Sequence, residues 1–313
     1  MDPLSDVLSL LKLRTYMSAG FEAGGDWALQ FDSYEGIKFQ AIVSGECWLC
    51  VDGISEPVRV TAGDCIFLPR GHPFRIASDL NLPPTDSSVL LADREGGVTS
   101  FNGGGDFSCV GGYFTLTGHH TALLLALLPP IVHIRKESDK AELRWCLERL
   151  RRELRDPQPG AFLVAQQLAS LLLVQALRLH LVEETSGGVG WLSALADKKM
   201  SVAIQAMHAE PARRWSLQSL ADSVGMSRTT FTLKFRDAVG VSVMAYLTQW
   251  RMLLAGDRLT NTDEPITTIA QSLGYESESA FSTAFKRVMG VSPRQYGRLN
   301  RLVRTGSESE KFG

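Results

Sequence analysis

Between about residue 26 and residue 115 the chain is broken into short apolar runs rich in aromatic and β-branched side chains: 37–43, 47–51, 58–61, 65–68 and 107–115. Ser44-Gly45, Asp52-Gly53, Ala62-Gly63-Asp64 and Pro69-Arg70-Gly71 stand between them and supply turn chemistry. Many short strands at close spacing predict a sandwich or barrel, not alternating βαβ units. The glycines at 103–105 read as a flexible loop leading into the last strand.

The pattern changes near residue 120. A short apolar helix is expected over 121–128, stopped by Pro129-Pro130, then a strongly charged helix over 138–155. Residues 162–183 follow as a long helix, apolar around most of its circumference, which must therefore be covered by something. Residues 185–190 read as a Gly-rich linker, and everything from 191 to 304 has helical periodicity without strand patterning. The predicted class is α+β with two domains. Residues 1–190 hold a barrel (about 26–118) with trailing helices (about 121–184). Residues 191–304 form an all-α domain with its core at 201–300, and 305–313 is a polar tail.

The helical part contains an internal repeat of about 50 residues. Ala221 and Gly225 recur as Ala270 and Gly274, offset by 49. Phe231, Phe235, Gly240 and Tyr246 recur as Phe281, Phe285, Gly290 and Tyr296, offset by 50. The second copy therefore carries one extra residue in its turn. Each copy reads as a helix-turn-helix. A small alanine lets two helices cross closely, and a glycine ends the first with positive φ. Ser227 or Ser277 caps the second helix, and a Phe pair at i, i+4 pins its inner face. The outer face is then free to enter a major groove. A helix from Val243 to Leu259, burying Trp250 and Leu254, sets the spacing between the units.

Charge supports this division. The whole chain of 313 residues carries a net charge of −2. Residues 1–190 hold 16 basic against 23 acidic side chains, and residues 191–304 hold 15 against 9. A basic back half beside an acidic front half is the asymmetry expected when only one half meets an anionic polymer.

Residues from about 201 to 300 resemble the DNA-binding domain of AraC/XylS-type transcriptional regulators. The most specific matches are Ile269-Ala270, Gly274-Tyr275-Glu276-Ser277, Phe281, Phe285-Lys286 and the run Gly290-Val-Ser-Pro-Arg-Gln-Tyr296. The resemblance implies sequence-specific binding to double-stranded promoter DNA and regulation, more often activation, through RNA polymerase. Carried over, it places Thr229, Thr232, Leu233 and Arg236 on the base-reading face of the first unit. Glu278, Ser279, Ser282, Thr283 and Lys286 take that face in the second. Ser227, Arg228, Lys234, Ser277, Arg287 and Arg294 are expected at phosphates, which set register without reading sequence.

Gly63-Asp64, Pro69, Gly71 and His72 resemble the second motif of cupin β-barrels, and such a barrel in front of the reader implies an effector-binding and dimerisation region. Trp27, Phe39, Trp48, Phe67 and His72 are the candidate lining of an effector pocket, although the aromatic ones are equally expected as core. A metal-dependent cupin enzyme wants a His pair in its first motif, and no His precedes His72. No catalytic residue, metal ligand or cofactor is therefore assigned, and metal binding at His119-His120 has little support. Three alternatives stay open: a barrel that only dimerises, a cupin enzyme fused to a reader, and a thiol sensor built on Cys47 and Cys50. In a strand, residues three apart point to opposite faces, which disfavours the thiol pair.

Five cysteines without a dense framework fit reduced thiols in a cytoplasm. No secretory signal is visible, and the polar residues Gln166, Gln167, Ser170, Gln175, Arg178 and His180 interrupt the most apolar stretch, so no membrane association is expected. The helix over 162–182, with Leu168, Leu171, Leu172 and Leu179, is the expected homodimer interface, packing alongside the charged helix.

Overall fold

The computed structural model describes residues 2–11, 13–89, 99–116, 125, 128–156, 158–183 and 191–298. The helix expected over 121–128 lies almost wholly outside these residues, as do His119-His120, the linker at 185–190 and the tail. The chain divides into two compact units.

The first unit holds eleven strands: β1 Leu13–Ala23, β2 Ala28–Phe31, β3 Ile37–Ser44, β4 Glu46–Val51, β5 Val58–Thr61, β6 Cys65–Leu68, β7 Phe74–Ala77, β8 Thr85–Asp86, β9 Thr99–Phe101, β10 Phe107–Leu116 and β11 Val132–Ile134. They form a six-stranded sheet, β11-β6-β3-β10-β1-β9, and a five-stranded sheet, β5-β4-β7-β2-β8. Strand alternation puts Cys47, Leu49 and Val51 of β4 inward, where they meet Ile42, Ile66, Phe74, Phe107 and Trp27 in one core shared by both sheets. Trp27 packs on Phe107 with ring centroids 4.8 Å apart and edge-on to Phe21 at 5.8 Å. Two helices, α2 Glu137–Arg155 and α3 Ala161–Glu183, pack together, and α3 lies against β1 and β11. Ala165, Ala169, Leu172, Leu173, Ala176 and Leu177 form its buried face.

Two strands fall outside the expected barrel limits. β1 starts at residue 13 and pairs antiparallel with β10. Its alternation is interrupted by a register shift between Ser18 and Phe21, at Gly20, where φ is +94° and a Cβ would stand 1.8 Å from the Cys109 carbonyl oxygen. A bulge built around close backbone approach defeats a period-two search. β11, only three residues long, pairs with β6 directly after the two prolines.

Asp64, from the Gly63-Asp64 turn, is buried and joins three segments. It accepts from the Thr61 amide at 2.9 Å, from His133 Nε2 at 2.9 Å and from Lys140 Nζ at 2.8 Å. Burial raises its pKa, but the hydrogen bonds from Lys140, Thr61 and His133 outweigh that and hold the carboxyl below its usual range.

The second unit contains α1 Pro3–Leu11, α4 Trp191–Ala196, α5 Lys198–Ala209, α6 Leu217–Ser223, α7 Arg228–Val239, α8 Val243–Asn261, α9 Ile266–Ser272 and α10 Glu278–Met289. Residues 1–12, expected with the barrel, group here by their contacts, α1 packing on α5 and α8. Leu4, Val7 and Leu10 are the apolar face it buries.

Candidate nucleic-acid interface

Each repeat folds as a helix-turn-helix by the same local chemistry. After α6, the Gly225 amide donates to Asp222 O at 3.1 Å and the Met226 amide to Ala221 O at 3.0 Å. After α9, the Gly274 amide donates to Gln271 O at 3.0 Å and the Tyr275 amide to Ala270 O at 3.0 Å. Both are Schellman closures, which need the positive φ that Gly225 (+61°) and Gly274 (+81°) adopt. The next helices are capped by serine hydroxyls: Ser227 accepts from the Thr230 amide and Ser277 from the Ala280 amide, both at 3.2 Å.

The inner faces match as well. Phe231, Phe235, Phe281 and Phe285 are fully buried. Phe235 meets Tyr246 edge-on at 5.7 Å, and Phe285 meets Tyr296 in the same way at 5.3 Å. With that face anchored, the 3.6-residue period turns Thr229, Thr232, Leu233 and Arg236 of α7 outward, and Ser279, Ser282, Thr283 and Lys286 of α10 likewise. Thr232 and Ser282 are partly covered and the other six exposed; Leu233 keeps 59% of its surface open although it is apolar.

Several hydroxyls are already engaged. Thr232 Oγ1 donates to Arg228 O at 2.8 Å and Thr283 Oγ1 to Ser279 O at 3.0 Å. These bonds fix the rotamers, leaving methyl groups and acceptor lone pairs for a partner. Arg228, Lys234, Arg287 and Arg294 are exposed around the two stripes. Glu278 lies 3.6 Å from Arg294, so the acidic residue at the start of α10 is partly offset by a neighbouring cation.

Residues outside the repeat were missed by the sequence reading. Lys199 Nζ lies 3.4 Å from Gly225 O, over the first turn. Arg251, in the middle of α8, donates from Nε to Pro211 O at 2.6 Å and from Nη2 to Arg213 O at 2.9 Å. Arg214 pairs with Glu276. Lys199 and Arg214 precede the first copy and have no counterpart in the second, so the offset that exposed the other positions is silent about them, and the offset by itself does not show what Arg251 holds.

The five residues expected to line an effector pocket are not brought together. Trp27 is in the core between the sheets, while Phe39 and Phe67 stack with each other at 5.8 Å on the opposite face of the six-stranded sheet, beside Phe114. Trp48 is half-buried on the outer side of β4, and His72 is exposed in a turn with Nδ1 2.9 Å from Asp52 O. Aromatic content names core residues without naming their face. Strand parity decides that, and in β3 it turns Lys38 and Gln40 toward the core side. Lys38 Nζ sits 4.6, 4.8 and 5.1 Å from the rings of Tyr34, Phe31 and Phe74, and burial lowers its pKa to about 8.

Cys47 points into the core and Cys50 is half-buried on the other face, so the pair does not converge. Burial pushes the Cys47 thiol far up and the Cys65 and Cys109 thiols up to about 12, which keeps them protonated and poorly nucleophilic. Among the described residues no group of three His, Cys, Asp or Glu side chains forms a metal site.

A family model described as Cupin matches residues 2–182, and one described as a helix-turn-helix domain matches residues 220–299. An AraC-like transcription regulator of Streptomyces lividans is 42% identical over 297 residues, covering 95% of this chain and 98% of that one. The HTH-type transcriptional regulator AlkR of Acinetobacter baylyi is 29% identical over 308 residues, covering 95% and 99%. Among solved structures, the C-terminal domain of AraT, a response regulator from Geobacillus stearothermophilus, is 34% identical and covers 33% of this chain and 86% of that one, with a TM-score of 0.32.

Proposed function

Because the chain belongs to the AraC-type transcription regulators, DNA-binding proteins that carry a cupin domain and are not enzymes, we propose how this member reads and uses its promoter. The helices α7 and α10 enter successive major-groove segments on one face of the duplex. Thr229, Thr232, Leu233 and Arg236 read bases in one segment, and Glu278, Ser279, Ser282, Thr283 and Lys286 in the other. Arg228, Lys234, Arg287 and Arg294, with the N-termini capped by Ser227 and Ser277, hold phosphates and set the register. The observation that carries this reading is the pair of matching outward stripes, offset by 50 residues, on two helices whose opposite faces are pinned by buried phenylalanines.

In this reading the protein acts in the cytoplasm as an activator that contacts RNA polymerase, and the barrel unit receives a small-molecule effector. Among the described residues, the seam beside Lys38, Gln40 and Leu49 leaves no space for a water molecule. An open cleft of about 480 Å³ lined by Val58, Arg59, Thr61, Asp64, His133 and Arg135 offers a place where such a molecule docks.

Selection of binding sites from a random duplex library, followed by gel shifts, tests the reading. Arg236→Ala is expected to weaken binding to the selected site by about 5- to 100-fold and relax specificity at one base pair. Arg228→Ala should weaken all sequences alike and lower the salt slope by about 1. Wild-type affinity and specificity in Arg236→Ala would overturn the base-reading assignment.

A further inference from the structure

Two readers on one chain accept a fixed spacing of half-sites only if the angle and distance between them are held. The helix α8 by itself offers a single connection. The first unit packs on its beginning through Phe235 and Tyr246, and the second on its end through Met252, Ala255 and Leu259. A single helix joining two bodies leaves both free to twist about its ends.

The structure adds a second connection. The segment leading into α6 (residues 210–215) is itself pinned, with Trp215 Nε1 donating to Glu210 O at 3.0 Å and the Arg213 guanidinium 4.0 Å above the Trp215 ring. This segment rests against the turn of the other reader. At Gly274 a Cβ would stand 2.3 Å from the Ala212 carbonyl oxygen, so the two backbones touch with no room for a side chain. Arg214 pairs with Glu276 across the same seam. Beneath it, Arg251 donates to the Pro211 and Arg213 carbonyls while its guanidinium lies 5.7 Å from the Tyr275 ring. One arginine thus holds the entry segment of the first reader and faces the turn of the second.

We infer that residues 210–215, the turn at 274–276 and Arg251 form a brace that fixes the relation between α7 and α10, making Arg251 a positioning residue that sets which half-site spacing the protein accepts. The inference rests on both helices reading DNA. One inserted base pair moves a half-site by about 3.4 Å and turns it by about 34°, so a braced pair rejects it and a loosened pair adapts.

The test uses the full-length protein and the bipartite duplex it selects from a random library, with base pairs added or removed between the half-sites. Wild type is expected to lose at least about tenfold on a change of one base pair, an energy near 1.4 kcal/mol. Arg251→Met keeps the apolar stem and removes the donors. It should bind the optimal duplex about tenfold more weakly yet vary less than about threefold across the spacing series, with single-half-site affinity unchanged. Arg251→Lys should fall between the two. Glu276→Arg, an exposed change that sets like charges across the seam, should flatten the profile without loss of folding. A wild-type spacing profile in both Arg251→Met and Glu276→Arg overturns the brace while leaving the two-helix reading intact. Selection of a single half-site, or indifference of wild type to spacing, overturns the two-helix reading and the brace with it.

Discussion

His208 lies between Asp6 and Tyr246, with Nδ1 3.2 Å from Asp6 Oδ2 and Nε2 2.7 Å from the Tyr246 hydroxyl, which accepts from Trp191 Nε1 at 2.7 Å. One tautomer of the neutral ring satisfies the whole chain of bonds. Trp191 donates to Tyr246, Tyr246 donates to His208 Nε2, and His208 Nδ1–H donates to Asp6. The ring is also stacked on Trp250 with centroids 3.7 Å apart. The nearby carboxylate favours a charged ring, but burial dominates and lowers the His208 pKa from 6.5 to about 3. The folded state thus binds this proton less readily than the unfolded state. Stability is fully present above pH 6.5 and declines as pH falls toward 3, by up to about 1.4 kcal/mol per pH unit. Urea unfolding at pH 7.5 and pH 5.0 should show a smaller loss in His208→Phe than in wild type, and equal losses would contradict the assignment. At this scale the sequence was informative where residues repeat and silent where they do not. Phe231, Phe235, Phe281, Phe285 and the two turn glycines were legible, whereas Asp6, His208 and Arg251 act through partners more than 35 residues away.

Among the elements, the two turns are alike in hydrogen bonding and unlike in surroundings. A Cβ at Gly225 meets nothing within 4 Å, while one at Gly274 collides with the Ala212 carbonyl. Gly225→Ala should therefore cost only the left-handed backbone penalty, about 1–2 kcal/mol. Gly274→Ala must add displacement of the backbone at Ala212 and lower Tm clearly further. Equal melting shifts would show that the seam at 212 is not tight. The second helices of the two helix-turn-helix units, α7 and α10, and most strands were readable from caps, periodicity and turn chemistry, and α10 begins directly after its capping Ser277 as expected. β1 was missed because the Gly20 bulge breaks its alternation, and β11 because three residues carry too little pattern. The five pocket candidates lie apart for a related reason. A six-stranded sheet covered by helices on one side and a second sheet on the other buries aromatics on both faces.

For the whole molecule, α3 is long and apolar enough by composition to cross a membrane, yet one side of it is packed on α2 and the barrel. Of the residues expected at a dimer interface, Leu168 and Leu172 are buried within the protomer and Leu179 partly so, while Leu171 keeps 41% of its surface exposed. Phe162, Leu163 and Val164 on the same helix and Trp145 on α2 are also exposed. We propose that this apolar surface joins two copies of the chain. Leu171→Glu is expected to shift wild-type dimers to monomers in sedimentation at micromolar concentration while changing the protomer's unfolding free energy by no more than about 0.5 kcal/mol, the usual range for a surface change. A wild-type monomer under those conditions would refute the interface.

The sequence by itself determined the tandem reader, because each unit is specified by local signals: glycines with positive φ, capping serines, and phenylalanines one turn apart. It also determined that the front half is a β-barrel, since turn chemistry and alternation are local too. Tertiary structure alone decided which face each strand residue presents, that α1 joins the helical unit, and that Arg251 ties the entry of one reader to the turn of the other. Those features depend on contacts between residues distant in the chain, where no periodicity or spacing carries the information.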